Sequence, residues 1–142
     1  MTTSALSEAV LPFATDWFHS LSDRDDIDVV TRYLQLDQLE MRFPEATLRT
    51  EADFREWYVA VGGLFHNQTH DIEVLDASGD DASPHVNVTV VWAGIDSATT
   101  VPFRYRVAQQ WDLVRDDGGA LKIAQYQVGP MQPLEANPES LR

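Results

Sequence analysis

The chain has no cysteine, which excludes disulfide staples, thiolate zinc sites and thiol nucleophiles. Basic charge is scarce. Nine arginines and one lysine face 23 aspartates and glutamates, giving a formal net charge of −13. Such a surface repels phosphate backbones. Arg104 and Arg106 are too few to form a basic stripe, so no nucleic-acid partner is expected. No apolar run approaches the roughly 20 residues that span a bilayer, so no membrane partner is expected. The opening stretch MTTSALSEAVLPFATDW has neither a basic region nor a long apolar one. It does not read as a signal peptide, and a cytoplasmic location is the default expectation.

What is present fits one ordinary globular domain: 142 residues, 44% of them hydrophobic, enough for a core without staples. Much of the acidity sits in turn-like stretches, SDRDDID, SGDD and RDDGG. Leu6, Val10, Phe13, Trp17 and Leu21 recur at helical spacing, with Pro12 leaving the helix start open. Asp26 to Leu34 reads as a short second helix with Ile27, Val30 and Leu34 inward. LDQLEMRFP alternates as a strand stopped by Pro44, with Leu39, Met41 and Phe43 on one face. A third helix follows, opened by Thr50 with Asp53 three residues on and burying Phe54, Trp57, Val61 and Leu64. Three or four long strands complete the chain. One carries His70, Ile72 and Val74 on one face. Another carries Val86, Val88, Val90 and Trp92. The longest carries Phe103, Tyr105, Val107, Gln109, Trp111 and Leu113, and ALKIAQYQV closes the sheet. Helices first and an antiparallel meander last define an α+β fold. The domain is expected over 1–128, with the Pro-rich residues 129–142 as a loose tail.

This order, with LEMRFP, then DFREWY, then QQWDLVRDDGGALKI, resembles the NTF2-like superfamily, and within it the SnoaL-like or ketosteroid-isomerase-like branch. The resemblance covers about residues 6–128. It implies an NTF2-like (cystatin-like) cone, in which a strongly curved, mostly antiparallel sheet wraps N-terminal helices around an apolar pocket. It also implies a homodimer formed through the outer sheet face. The ketosteroid isomerases' tyrosine donor, general-base aspartate and protonated aspartate fall here at Phe18, Phe43 and Gln109, none of which carries the required group. KIAQYQV supplies no acid of the kind that SnoaL-type cyclases place on their late strands.

FHNQTHDIEV, residues 65–74, holds two histidines four apart. A zinc pair at this spacing needs one continuous helix face, but Asn67-Gln68-Thr69 reads as a helix end and His70 already follows the strand phase. No metal site is expected, and His66 reads as a helix C-terminal residue favoured by the dipole. His70 shares an apolar face aimed at the pocket and is the candidate catalytic group, since imidazole exchanges protons near neutral pH. The alternative is a hydrogen-bonded core histidine. Gln109 and Gln125 share the inward phase of their strands. Two buried amides must be satisfied, by each other, by water or by a ligand. Trp17, Tyr33, Phe43, Tyr58, Trp92 and Trp111 complete the expected ligand-binding wall. Asp37 is a displaced acid or base, or a solvated strand-start residue. The function expected is binding of a small apolar ligand in the cone, its catalytic form being cofactor-independent acid/base chemistry of the isomerase, dehydratase or hydrolase type. The alternative is a non-catalytic dimeric module for ligand sensing or protein assembly.

Overall fold

The first helix, α1 (Ala5–Ser22), starts where Ser4 turns extended and its side chain accepts from the Ser7 amide at 3.0 Å, a serine N-cap. In the computed structural model, which describes residues 4–134, Pro12 lies inside α1 on its exposed side. There its missing N–H and ring face solvent rather than the core. The predicted apolar stripe faces inward, with Val10, Trp17 and Leu21 buried and Ala14 and Phe18 joining them. Asp26 caps a single turn, α2 (Ile27–Val30), by accepting from the Asp28 amide. The expected second helix continues only as a 3₁₀ turn, Thr31–Tyr33, and a second such turn spans Leu36–Gln38. The expected first strand is therefore confined to β1 (Glu40–Arg42), followed by β2 (Thr47–Leu48).

Thr50 caps α3 (Glu51–Leu64), its hydroxyl accepting from the Asp53 amide at 3.0 Å. The Asp53 carboxylate reaches back to the Arg49 amide at 3.0 Å, one residue beyond the reciprocal bond of a capping box. The buried stripe is Phe54 and Tyr58, whereas Leu64 is 56% exposed, because α3 runs out over the open end of the sheet. No loop follows α3. The chain passes straight into β3 (Phe65–Asp80), then β4 (Ser83–Asp96), β5 (Pro102–Arg115) and β6 (Leu121–Pro133). The sheet order is β2-β1-β6-β5-β4-β3, antiparallel except for the β1–β6 pair.

Extra residues bend this sheet and decide which side chains face the helices. In β3, Ile72 pairs with Val90 but Val74 with Thr89, so Glu73 is the extra residue. Beyond it the phase reverses. Leu75 and Ala77 turn inward and Val74 is left 59% exposed, a correction to the expected inward run His70-Ile72-Val74. In β6, Gln125 pairs with Asp112 and Ile123 with Leu113. Ala124 is extra there, so Tyr126 takes the inward place expected of Gln125. The expected loose tail also needs correcting at its start. Residues 129–133 belong to β6, with Met131 opposite Val107 and Pro133 opposite Tyr105. Pro130 fits because it lies beside a register shift where the ladder is interrupted. Gly129 is needed because a Cβ there would come 2.8 Å from the Ala108 carbonyl oxygen. The rest of that stretch, 135–142, lies outside the described residues.

β3 is an edge strand, and its outward amides need partners. At Ala77 the partner is the buried Ser7 hydroxyl of α1, at 2.9 Å, so one serine ties the first helix to the sheet edge. Ser7→Ala should lower the unfolding free energy by about 1–3 kcal/mol, the cost of an orphaned buried donor. Urea melts measure this, and an unchanged midpoint would show that the Ala77 amide finds another acceptor.

Candidate functional site

At the open end of the sheet, an inner chamber of about 90 Å³ lies between the end of α1, the C-terminal half of α3 and strands β3 to β6. It shares Phe65, Trp92, Val61 and Met131 with a wider vestibule of about 660 Å³. Phe103, Tyr105 and the exposed Leu64 and Val101 line that vestibule. The aromatic rings at this mouth pack edge to face, Trp92 with Phe103 at 4.5 Å and Phe65 with Trp92 at 5.0 Å.

His70 lines the chamber, opposite Trp92 in the β3–β4 ladder. Its ring stacks on Phe18 of α1 at 5.6 Å. Its Nδ1 lies 2.9 Å from the Ser22 hydroxyl, at the last turn of α1. Burial without a counter-charge pushes its pKa from 6.5 down to about 4, so the imidazole is neutral at pH 7. Nε2 has no hydrogen-bond partner among the described residues, and no buried polar side-chain atom there is left unpaired. It follows that Nε2 keeps some accessible surface, in a ring that lines the chamber.

A bulge makes this geometry. His66 pairs with Ile95 but Thr69 with Ala93, and Asn67 adopts a left-handed φ of 52°. A non-glycine residue in that region is uncommon, though asparagine tolerates it best. The distortion turns Gln68 inward, where it is 7% exposed and its Oε1 accepts from Trp92 Nε1 at 2.9 Å. The sequence reading missed Gln68 by taking Asn67-Gln68-Thr69 for a helix end. The signal was its phase, two residues before His70. The same strand corrects His66, which is not helical. It is exposed on β3 with Nδ1 3.1 Å from the Ser97 hydroxyl. Among the described residues, no group of three or more His, Asp or Glu side chains could hold a metal ion.

Of the other expected wall residues, Phe43, Trp92 and Gln109 line the chamber. Gln125 does not. The Ala124 bulge puts it on the outer face, exposed beside Asp112 and Glu40. Trp17 and Trp111 are wholly buried in the core behind the chamber. Tyr33 packs on Phe13 and Trp17, with its hydroxyl 3.3 Å from that of Ser20. Tyr58 donates to the Asp25 carbonyl at 2.6 Å and lies under the Arg24 guanidinium. Asp37 is exposed on its 3₁₀ turn, accepting from the Gln35 amide at 2.6 Å. Gln109, 7% exposed, accepts through Oε1 from Trp111 Nε1 at 3.0 Å. Tyr126 is the wall residue that the β6 phase concealed, and Trp57 with Glu45 forms the rim.

No protein-family model matches the sequence, and no curated protein is similar to it. Solved structures are. A nuclear transport factor 2 (NTF2-like) superfamily protein from Salmonella enterica serovar Typhimurium superposes with a TM-score of 0.78, covering 96% of this chain and 97% of its own at 10% identity. The fold is NTF2-like. A type 2 hexachlorocyclohexane dehydrochlorinase, LinA, superposes on this NTF2-like chain at 0.73 with 15% identity over 95% of it and 99% of its own length. A candidate scytalone dehydratase from Novosphingobium aromaticivorans does so at 0.77 with 10% identity, covering 92% and 88%. At such identities the likeness shows the NTF2-like, or cystatin-like, fold, and activity must be argued from the site.

The depressed pKa of His70 has a signed consequence. Between pH 6.5 and 4 the unfolded chain binds this proton and the folded chain does not. Stability is therefore fully present above that window and falls as the pH drops through it, by up to about 3 kcal/mol. His70→Gln should remove that component from the pH dependence of urea unfolding. Ser22→Asp should raise the His70 titration seen by proton NMR, because a carboxylate at Nδ1 stabilises the imidazolium. A wild-type His70 titrating near 6.5 would sink both expectations.

Proposed function

We propose that this chain binds a small apolar molecule in the NTF2-like cone and that His70 exchanges a proton with it. The observation that carries this reading is a neutral imidazole, fixed at Nδ1 by Ser22 and accessible at Nε2, in the wall of an otherwise largely apolar chamber. Small-molecule sites have this character: apolar walls and a few placed polar groups. With Nδ1–H donating to Ser22 Oγ, Nε2 carries the lone pair and can take a proton from an acidic C–H. The released electron pair delocalises onto an adjacent carbonyl oxygen, and the imidazolium then returns its proton to another position. Isomerisations and eliminations begin with this step, and no resident cofactor is required for it. The dehydrochlorinase and the candidate dehydratase among the similar folds are consistent with such chemistry.

The test is exchange of the acidic C–H protons of 2-indanone in D₂O. The protein should accelerate exchange over buffer, with a rate that rises as the pH passes through about 4 and then levels off. His70→Ala should lose at least about a hundredfold of that acceleration. Acceleration that survives the substitution would remove His70 from the reaction.

A second reading, a non-catalytic dimeric module for ligand sensing or assembly, is favoured by the outer sheet face. There the exposed Val74 adjoins Thr89 and Ala108. Asn87, Gln110 and Gln127 stand in one row across β4, β5 and β6, with no side-chain hydrogen bonds among the described residues. A second copy of the chain would use those amides. Sedimentation should then show a dimer that Ala108→Arg converts to a monomer. A wild-type monomer at micromolar concentration would end this reading.

A further inference from the structure

Two glutamines in the chamber wall are oriented by tryptophans. An indole N–H can only donate, so it takes the amide oxygen and leaves the NH₂ end for other partners. Trp92 fixes Gln68 in this way and Trp111 fixes Gln109, at 2.9 and 3.0 Å. Gln68 Nε2 then reaches only the Phe65 carbonyl, at 3.5 Å, the outer limit of a hydrogen bond. Gln109 Nε2 has no hydrogen-bond partner among the described residues, and the residue lines the chamber.

Tyr126 is the centre of the arrangement. It is 3% exposed, stacked on Trp111 at 5.3 Å and part of the chamber wall. Its oxygen accepts from Trp17 Nε1 at 3.3 Å. The hydroxyl proton has no acceptor among the described residues. Burial holds its pKa well above the usual phenol range, so the proton stays on. Donors that feed the oxygen polarise the O–H and strengthen what it can give.

We propose that Tyr126 donates its hydrogen bond to a carbonyl oxygen of the bound molecule, making the chamber selective for ketone-type ligands over hydrocarbons of the same shape. This rests on the apolar-chamber reading above and adds the ligand's chemical class. His70 offers an acceptor at Nε2, while Tyr126 and the NH₂ of Gln68 offer donors. A ligand that pairs with all three has a C–H to lose on one side and a carbonyl oxygen on the other.

The test compares 2-indanone with 2-methyleneindane, in which =CH₂ replaces =O, by NMR titration against wild type and Tyr126→Phe. Wild type should prefer the ketone by about tenfold, the worth of one good hydrogen bond. Tyr126→Phe should bring ketone binding down to the hydrocarbon's while leaving the hydrocarbon unchanged. Because the variant orphans Trp17 Nε1 and so loses stability, a second measurement needs only wild type. The carbonyl stretch of bound 2-indanone should lie at lower wavenumber than in hexane. Equal wild-type binding of the two probes with an unshifted stretch would overturn the proposal and leave the apolar chamber standing. So would a preference that survives Tyr126→Phe, which would mean that the tyrosine proton is spent on Gln109. Binding of neither probe would overturn the chamber reading, and this proposal with it.

Discussion

A buried indole N–H must find an acceptor, and in this chain that constraint organises the site. There are four tryptophans. Trp17 donates to Tyr126, Trp92 to Gln68 and Trp111 to Gln109, and at the exposed rim Trp57 reaches Glu45 at 3.5 Å. All four acceptors line the inner chamber. The tryptophan rings supply the apolar bulk of the core and mouth, and their N–H groups fix the polar groups of the wall. Leaving one such donor unpaired in the interior would cost about 1–3 kcal/mol, so packing and polar orientation cannot be varied separately. Core and site are one network.

That network works only if each acceptor is turned toward the chamber, and for Gln68 and Tyr126 β-bulges do the turning. The Asn67 bulge swings Gln68 into the chamber two residues before His70, and the Ala124 bulge brings in Tyr126 and puts Gln125 outside. Without the Ala124 bulge, period-two alternation would leave an amide where the phenol now stands. The strain is modest and local: one asparagine at φ 52° at the first bulge, and near the second a strand that continues unbroken to Pro133. The sheet curvature that makes a cone and the side-chain phase that makes a site thus have the same cause.

This also explains which features the sequence made legible. The α1 stripe, the Thr50 cap and the inward faces of β4 and most of β5 were readable because their periodicity is unbroken over many residues. Leu64, Val74, Gln125 and the end of β6 were misread for physical reasons. A bulge adds one residue without a compositional mark, and Pro130 looks like a strand terminator unless its place beside a register shift is known. His70 and Gln109 were recognised because they lie in regular phase before or between those irregularities. Gln68 was missed because its segment reads as a helix end, and Tyr126 because it lies just beyond the Ala124 bulge. Trp17 and Trp111 were taken for walls, yet they act through the groups they hold.

The partner of His70 decides what kind of base it can be. A carboxylate at Nδ1 would stabilise the imidazolium and raise the pKa toward or past neutrality. A serine hydroxyl, able to donate or accept, holds the ring in place but brings no charge, so burial wins and the pKa falls to about 4. In the proposed reaction the imidazole and the phenol therefore both start uncharged, and the one carboxylate in the chamber lining is that of Glu45, at the rim. Proton transfer would create an imidazolium and an enolate-like oxygen together. In a low-dielectric chamber these two charges stabilise each other more than either is stabilised by water. A base this weak suits substrates whose C–H is already acidic, with the hydrogen bond from Tyr126 carrying more of the stabilisation than the imidazole does.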